Sequence, residues 1–138
     1  MSKVDIQFHL EGKGIEEKDP NNLFSAPIYR PNTEIRGNVL VYPNEDLRCR
    51  KVVVEVLWHT AGRGTRFQQS VMEEVISEGN LMRGVPISAD FSTVLPHEPW
   101  SFNGRYVSIV WGVKVKVDIP MGRDVELQKN FILAPVRE

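Results

Sequence analysis

The apolar residues of this chain recur at every second position over most of its length. From Arg105 to Asp118, Val107, Ile109, Trp111, Val113, Val115 and Val117 share one side of a period-2 ribbon. The other side carries Tyr106, Ser108, Val110, Gly112, Lys114, Lys116 and Asp118. This pattern predicts a long strand with one dry face. It exceeds the usual strand length of about five or six residues, so a bend is expected, with Gly112 as the site of a bulge or close contact. Val4, Ile6, Phe8 and Leu10 describe a first, half-buried strand, and Ile35, Gly37, Val39 and Val41 another. In a third, Val52, Val54, Val56 and Trp58 share one face while Lys51, Glu55 and His59 take the other.

Phe67 to Ser77 fits two periods. Phe67, Val71, Met72 and Val75 would form a helical stripe, whereas Phe67, Gln69, Val71, Glu73 and Val75 alternate. Strands on both sides and the terminating Gly79 favour a strand. Val85, Ile87, Ala89, Phe91 and Leu95 suggest the next strand, stopped by Pro96 and Pro99, and Val125 to Leu133 is the last. Turn chemistry separates these runs at Pro43 to Asp46 and at Ile119 to Arg123. Gly12 to Pro31 reads as a long irregular connection around an apolar island at Leu23 and Phe24, with room for a short edge strand. About seven or eight strands joined by short turns imply an all-β, antiparallel, immunoglobulin-like β-sandwich.

Composition narrows the setting. The 138 residues suit one domain, residues 1–138, with no obvious linker. A formal net charge of -1 gives no bulk electrostatic reason to bind nucleic acid. Cys49 is the single cysteine, which rules out an intrachain disulfide and points to a reducing, cytoplasmic setting. Met1 to Leu10 alternates where a signal segment would be continuously apolar, and no stretch is long enough for an integral membrane segment.

Two segments resemble the N-terminal domain of the arrestin family in its broad sense, which takes in the alpha-arrestins, the related retromer subunit and the bacterial sporulation-control proteins. The first runs from Tyr29 through Pro31, Glu34 and Gly37 to Val41, with Asn32 and Thr33 where the family often has glycine. The second, the more specific, is Leu95-Pro96 followed by Pro99-Trp100-Ser101-Phe102-Asn103-Gly104 and the valine-rich ribbon. The resemblance implies an arrestin N-domain type of sandwich that acts as a non-enzymatic adaptor or scaffold for other proteins. Family members that sense phosphate carry adjacent lysines on the first strand. Here Phe8, His9, Leu10 and Glu11 occupy that neighbourhood, so phosphoreceptor recognition is not carried over.

Candidate chemistry is sparse. His9, His59 and His97 lie on separate elements at no metal-ligand spacing, so no metal or cofactor is expected and solvated histidines are the ordinary reading. Arg48 and Arg50 would favour a Cys49 thiolate if that group were exposed, but no positioned base or oxyanion site accompanies it. His97 with Glu98 is the other acid-base pair a small hydrolase would need. A carbohydrate-recognition module would need planar aromatics on one sheet face; Trp58 and Trp111 are predicted to point inward, which leaves Trp100.

Partner contact has better candidates. Trp100 and Phe102 sit in one turn, with core closure as the competing role; the resemblance implies that role for Phe102 and leaves Trp100 the freer candidate. Arg48, Arg50, Lys51, Arg63 and Arg66 bracket the third strand and its following loop and would form a local positive patch if the two ends converged, with a solvated rim as the bland alternative. Unpaired sheet edges offer a further route to a protein partner or to a homo-oligomer, and Gly12 to Pro31 is placed either to cover such an edge or to become ordered when a partner arrives.

Overall fold

Alternation along each strand resolves into two sheets packed face to face. A computed structural model describes residues 3–12, 15–16, 27–64 and 66–135. Within them lie ten strands and no helix: β1 (Val4–Gly12), β2 (Ile15–Glu16), β3 (Pro27–Tyr29), β4 (Glu34–Pro43), β5 (Lys51–Gly62), β6 (Gln68–Glu78), β7 (Ile87–Val94), β8 (Phe102–Asn103), β9 (Val107–Asp118) and β10 (Val125–Leu133). The seven long strands are those the alternation predicts; the three short ones raise the count above seven or eight. The small sheet has the order β1-β4-β7 and the large one β2-β3-β10-β9-β5-β6, with β8 beside β9. Pairing is antiparallel except between β10 and β3, which run parallel. Leu23 and Phe24 lie outside the described residues.

The core is the facing pair of dry surfaces. Val52, Val54 and Val56 of β5 pair across the ladder with Val117, Val115 and Val113 of β9, all fully buried. Val4, Phe8, Ile35, Val39, Val41 and Phe91 close the layer from the small sheet. β9 is dry on its predicted face only from Trp111 onward: Val107 is exposed and Ile109 half-buried.

β5 is buried on both sides. Val53 and Leu57, on the face away from the core, are as dry as Val54, and between them Glu55 meets Lys114 of β9 at 3.4 Å. Ser70 of β6 donates to the same carboxylate. Paired in this way, two largely buried charges can lie in the middle of a sheet face.

Two register shifts explain the ambiguity of Phe67 to Ser77. Val56 pairs with Met72 and Leu57 with Ser70; Val52 pairs with Ser77 and Val53 with Val75. Val71 and Ile76 are therefore the extra residues of two β-bulges, and strict alternation fails at each. Gly112 is not bulged, since it pairs in continuous register with Leu57 on one side and Asn130 on the other. It is a close contact instead: a Cβ there would lie 2.7 Å from Gln128 Nε2.

Gly37 is required more strictly. A Cβ on it would stand 2.6 Å from the His9 carbonyl oxygen and 2.6 Å from the buried Phe91 ring, so the ring occupies the space a side chain would need. Neither a paired backbone nor a packed ring yields cheaply. Gly37→Ala is expected to lower stability by about 1–3 kcal/mol through overpacking. Urea unfolding should show this as a lower midpoint at unchanged slope; an unaltered midpoint would show that Phe91 swings aside freely.

Candidate functional site

One end of the large sheet is built around Trp111. An indole this size must bury its rings and still satisfy its N–H. Trp111 is fully buried and its Nε1 donates to the Pro99 carbonyl at 2.8 Å. Phe131 stacks on it at 5.7 Å between centroids, and Tyr29 meets Phe131 edge-on at 5.4 Å. Burial pushes the Tyr29 phenol above its ordinary pKa. The two segments that carry the family resemblance thus meet through Phe131, and the backbone joins them again where Asn32 N donates to Leu95 O and Leu95 N to Thr33 O.

The segment after Pro99 is strapped across this end. Ser101 N donates to Leu133 O, and Leu133 N donates back to Ser101 Oγ. β9 consequently changes neighbours: it pairs with β10 as far as Trp111–Phe131 and with β8 from Ile109–Phe102. Val110 falls between the two ladders. At this junction lies an open groove of about 480 Å³, with Ala61, Phe102, Val110, Phe131 and Ile132 in its lining.

A second depression of about 230 Å³ adjoins it, lined by His59, Thr60, Gly62, Arg63, Arg66 and Val107 and sharing Ala61 with the groove. Gly62 makes the bend, at φ 129°, and leaves no room for a Cβ against the Tyr106 carbonyl. Arg63 N donates to that carbonyl at 3.1 Å, so the β5–β6 and β8–β9 loops close on each other. Arg63, Arg66 and Arg105 make no ion pair among the described residues. No acidic residue occurs between Thr60 and Met72 or between Pro99 and Val117, so the two loops that close on each other carry basic side chains and no acidic ones.

Three of the four anticipated contact residues come together here. Arg63 and Arg66 line the depression and Phe102 lines the groove, whereas Trp100 lines neither. The expected order of the two aromatics is reversed. Phe102 is 57% exposed, and Trp100, 45% exposed, spends its indole N–H on the His97 carbonyl and rests its ring against His97. Arg48, Arg50 and Lys51 lie at the opposite end of β5, where Arg50 pairs with Asp118 at 3.5 Å. Ala61, Val110 and Ile132 were not anticipated; the acid-free run that follows Thr60 is the signal that would have found the charged part.

The reactive groups stay apart. Cys49 is buried, its Sγ points to the Lys51 carbonyl, and burial raises the thiol pKa, the reverse of what neighbouring arginines would do at an exposed site. His97 is exposed and lies 3.4 Å from the Asn32 amide. Trp58 packs against the core, as expected of an inward residue, but is only half-buried, with Phe67 at 5.3 Å between rings. Among the described residues, His59 Nδ1 is buried without a hydrogen-bond partner. Burial, then the charges of Arg66 and Lys114, hold its imidazole below the ordinary pKa.

No protein-family model matches the sequence, and no curated protein matches it. Among solved structures it is similar to the sporulation control protein Spo0M from Bacillus subtilis, with a TM-score of 0.64 at 16% identity. The match covers 99% of this chain and 51% of that one, so the chain spans about half the length of its neighbour. The likeness supports an arrestin-like sandwich fold. Among the described residues, no helix is long and apolar enough to cross a membrane.

Two outcomes follow from this geometry. A histidine held below its ordinary pKa in the fold takes up a proton more readily unfolded, so its part of the stability is complete above about pH 6.5 and is lost as pH falls below that value through the lower pKa of the fold. His59→Gln should flatten the decline in urea midpoint between about pH 7.5 and 5.5; equal declines in both proteins would place the titration elsewhere. Phe102→Ser, at an exposed position, should change stability by no more than about 1 kcal/mol. A larger loss in thermal unfolding would make Phe102 a core residue.

Proposed function

We propose that this chain is a non-enzymatic adaptor or scaffold domain, acting as a single sandwich unit in the cytoplasm and holding a protein partner at the Trp111 end. The observation that carries this reading is the joining of an apolar groove beside exposed Phe102 to a depression rimmed by Arg63 and Arg66, which make no ion pair among the described residues. Aromatic residues and arginine supply most binding energy at protein interfaces, and a groove beside them excludes water around the anchor. The arrestin-like fold lends support, since adaptor work requires surfaces and loops on a rigid sandwich and no reaction centre. Cys49, the one thiol, is sequestered in the core, which removes the simplest nucleophile.

Affinity capture from the native cell tests the reading. The parent chain should retain a discrete set of partner proteins. Phe102→Ser combined with Arg63→Glu and Arg66→Glu should reduce their recovery about tenfold or more. Trp100→Ala should retain them, because that indole is engaged within its own turn. Undiminished recovery by the triple variant, with its fold intact by circular dichroism, would remove the proposed surface. A parent that holds no protein above background, or only copies of itself, would remove the adaptor role.

A further inference from the structure

The surface also limits what kind of segment it can hold. Resting on the protein-partner reading, we infer that its ligand is an extended acidic peptide segment. A carboxylate of that segment meets Arg63 and Arg66, while a large apolar side chain a few positions away lies in the groove against Phe102, Val110 and Ile132.

The inference stands on charge and shape together. The two hollows share Ala61, so one short segment spans both. Neither Arg63 nor Arg66 has a carboxylate partner among the described residues, and none is close in sequence. A planar guanidinium offers parallel N–H donors that match a carboxylate, and two such groups beside an apolar groove select for it over an amide. The other large cleft, about 520 Å³ between the small sheet and β6, mixes Arg36 with Glu74 and Asp90 and selects neither sign.

A nucleic acid fits less well. The phosphate backbone would have nothing to place in an apolar groove, and a chain of net charge -1 has no wider basic track to follow. An anionic bilayer presents a plane, where the observed feature is concave. The groove follows the line along which β10 parts from β9, which suits a chain lying extended.

The test is selection of phage-displayed random dodecapeptides on the purified protein at about 150 mM salt, where weak long-range attraction is screened. Enriched sequences should place Asp or Glu within four positions of Phe, Trp, Leu or Ile. By fluorescence anisotropy, a labelled selected peptide should lose about tenfold in affinity when its acids become amides, and as much against Arg63→Glu/Arg66→Glu or Phe102→Ser. A peptide with its acids changed to lysine should bind the charge-reversed protein better than the parent does. If that variant unfolds, Arg63→Gln/Arg66→Gln takes its place.

Several results would overturn the inference: no enrichment, a consensus without acid, affinity indifferent to the arginines, or tighter association with phosphatidylserine vesicles than with any peptide. Failure here, with native partners still released by the triple variant, would leave the adaptor role standing with a ligand of different chemistry. Peptides that bind elsewhere on the domain, together with undiminished native capture, would instead displace the surface itself.

Discussion

Burial of Trp111 with its N–H satisfied is the constraint on which this end of the sandwich depends. The ring leaves water only if Phe131 covers it, and the N–H leaves water only if a carbonyl follows it inside. The Pro99 carbonyl does so, which draws the 95–104 segment across the sheet and hands β9 from β10 to β8. Tyr29 packs on the far side of Phe131 and ties β3 and the β4 entrance to the same point. The groove is the gap left by that exchange of neighbours.

A rigid gap is useful for recognition because its walls are ordered before anything arrives. Phe131 and Val110 are set by the ladder, and Phe102 is held over the groove by the β8 pairing. The arginines are placed by a different device, the Gly62 bend and the Arg63–Tyr106 backbone bond, which press two loops together. Two independent restraints therefore bring an apolar hollow and a cationic one side by side. Pre-organisation of this kind lowers the ordering cost of binding.

Much of the fold was legible in the residues. Apolar alternation located every long strand, and Pro99 through Asp118 marked the segment on which the architecture turns. β6 was the hardest to read because the bulges at Val71 and Ile76 each break period 2, and a broken period-2 run imitates a helical stripe. Gly112 was read as a bulge or close contact and proved to be the second, because Gln128 from the neighbouring strand lies over it. Of the site, the arginines and Phe102 were visible as residue types. Their company was not, since Ala61 and Ile132 are unremarkable in sequence and belong to strands far apart along the chain.

The sequence by itself determined which faces are dry, where the chain turns and that two sandwich layers must meet, because burial depends on side-chain type and a strand repeats it every second residue. Only the tertiary structure decided that Phe102 faces solvent while Trp100 is engaged in its own turn, and that Arg63 and Arg66 adjoin an apolar groove far from Arg48 and Arg50. Those outcomes rest on which strand leaves which neighbour, a matter of hydrogen-bond partnership between residues distant in sequence. Local alternation carries no record of such partnerships.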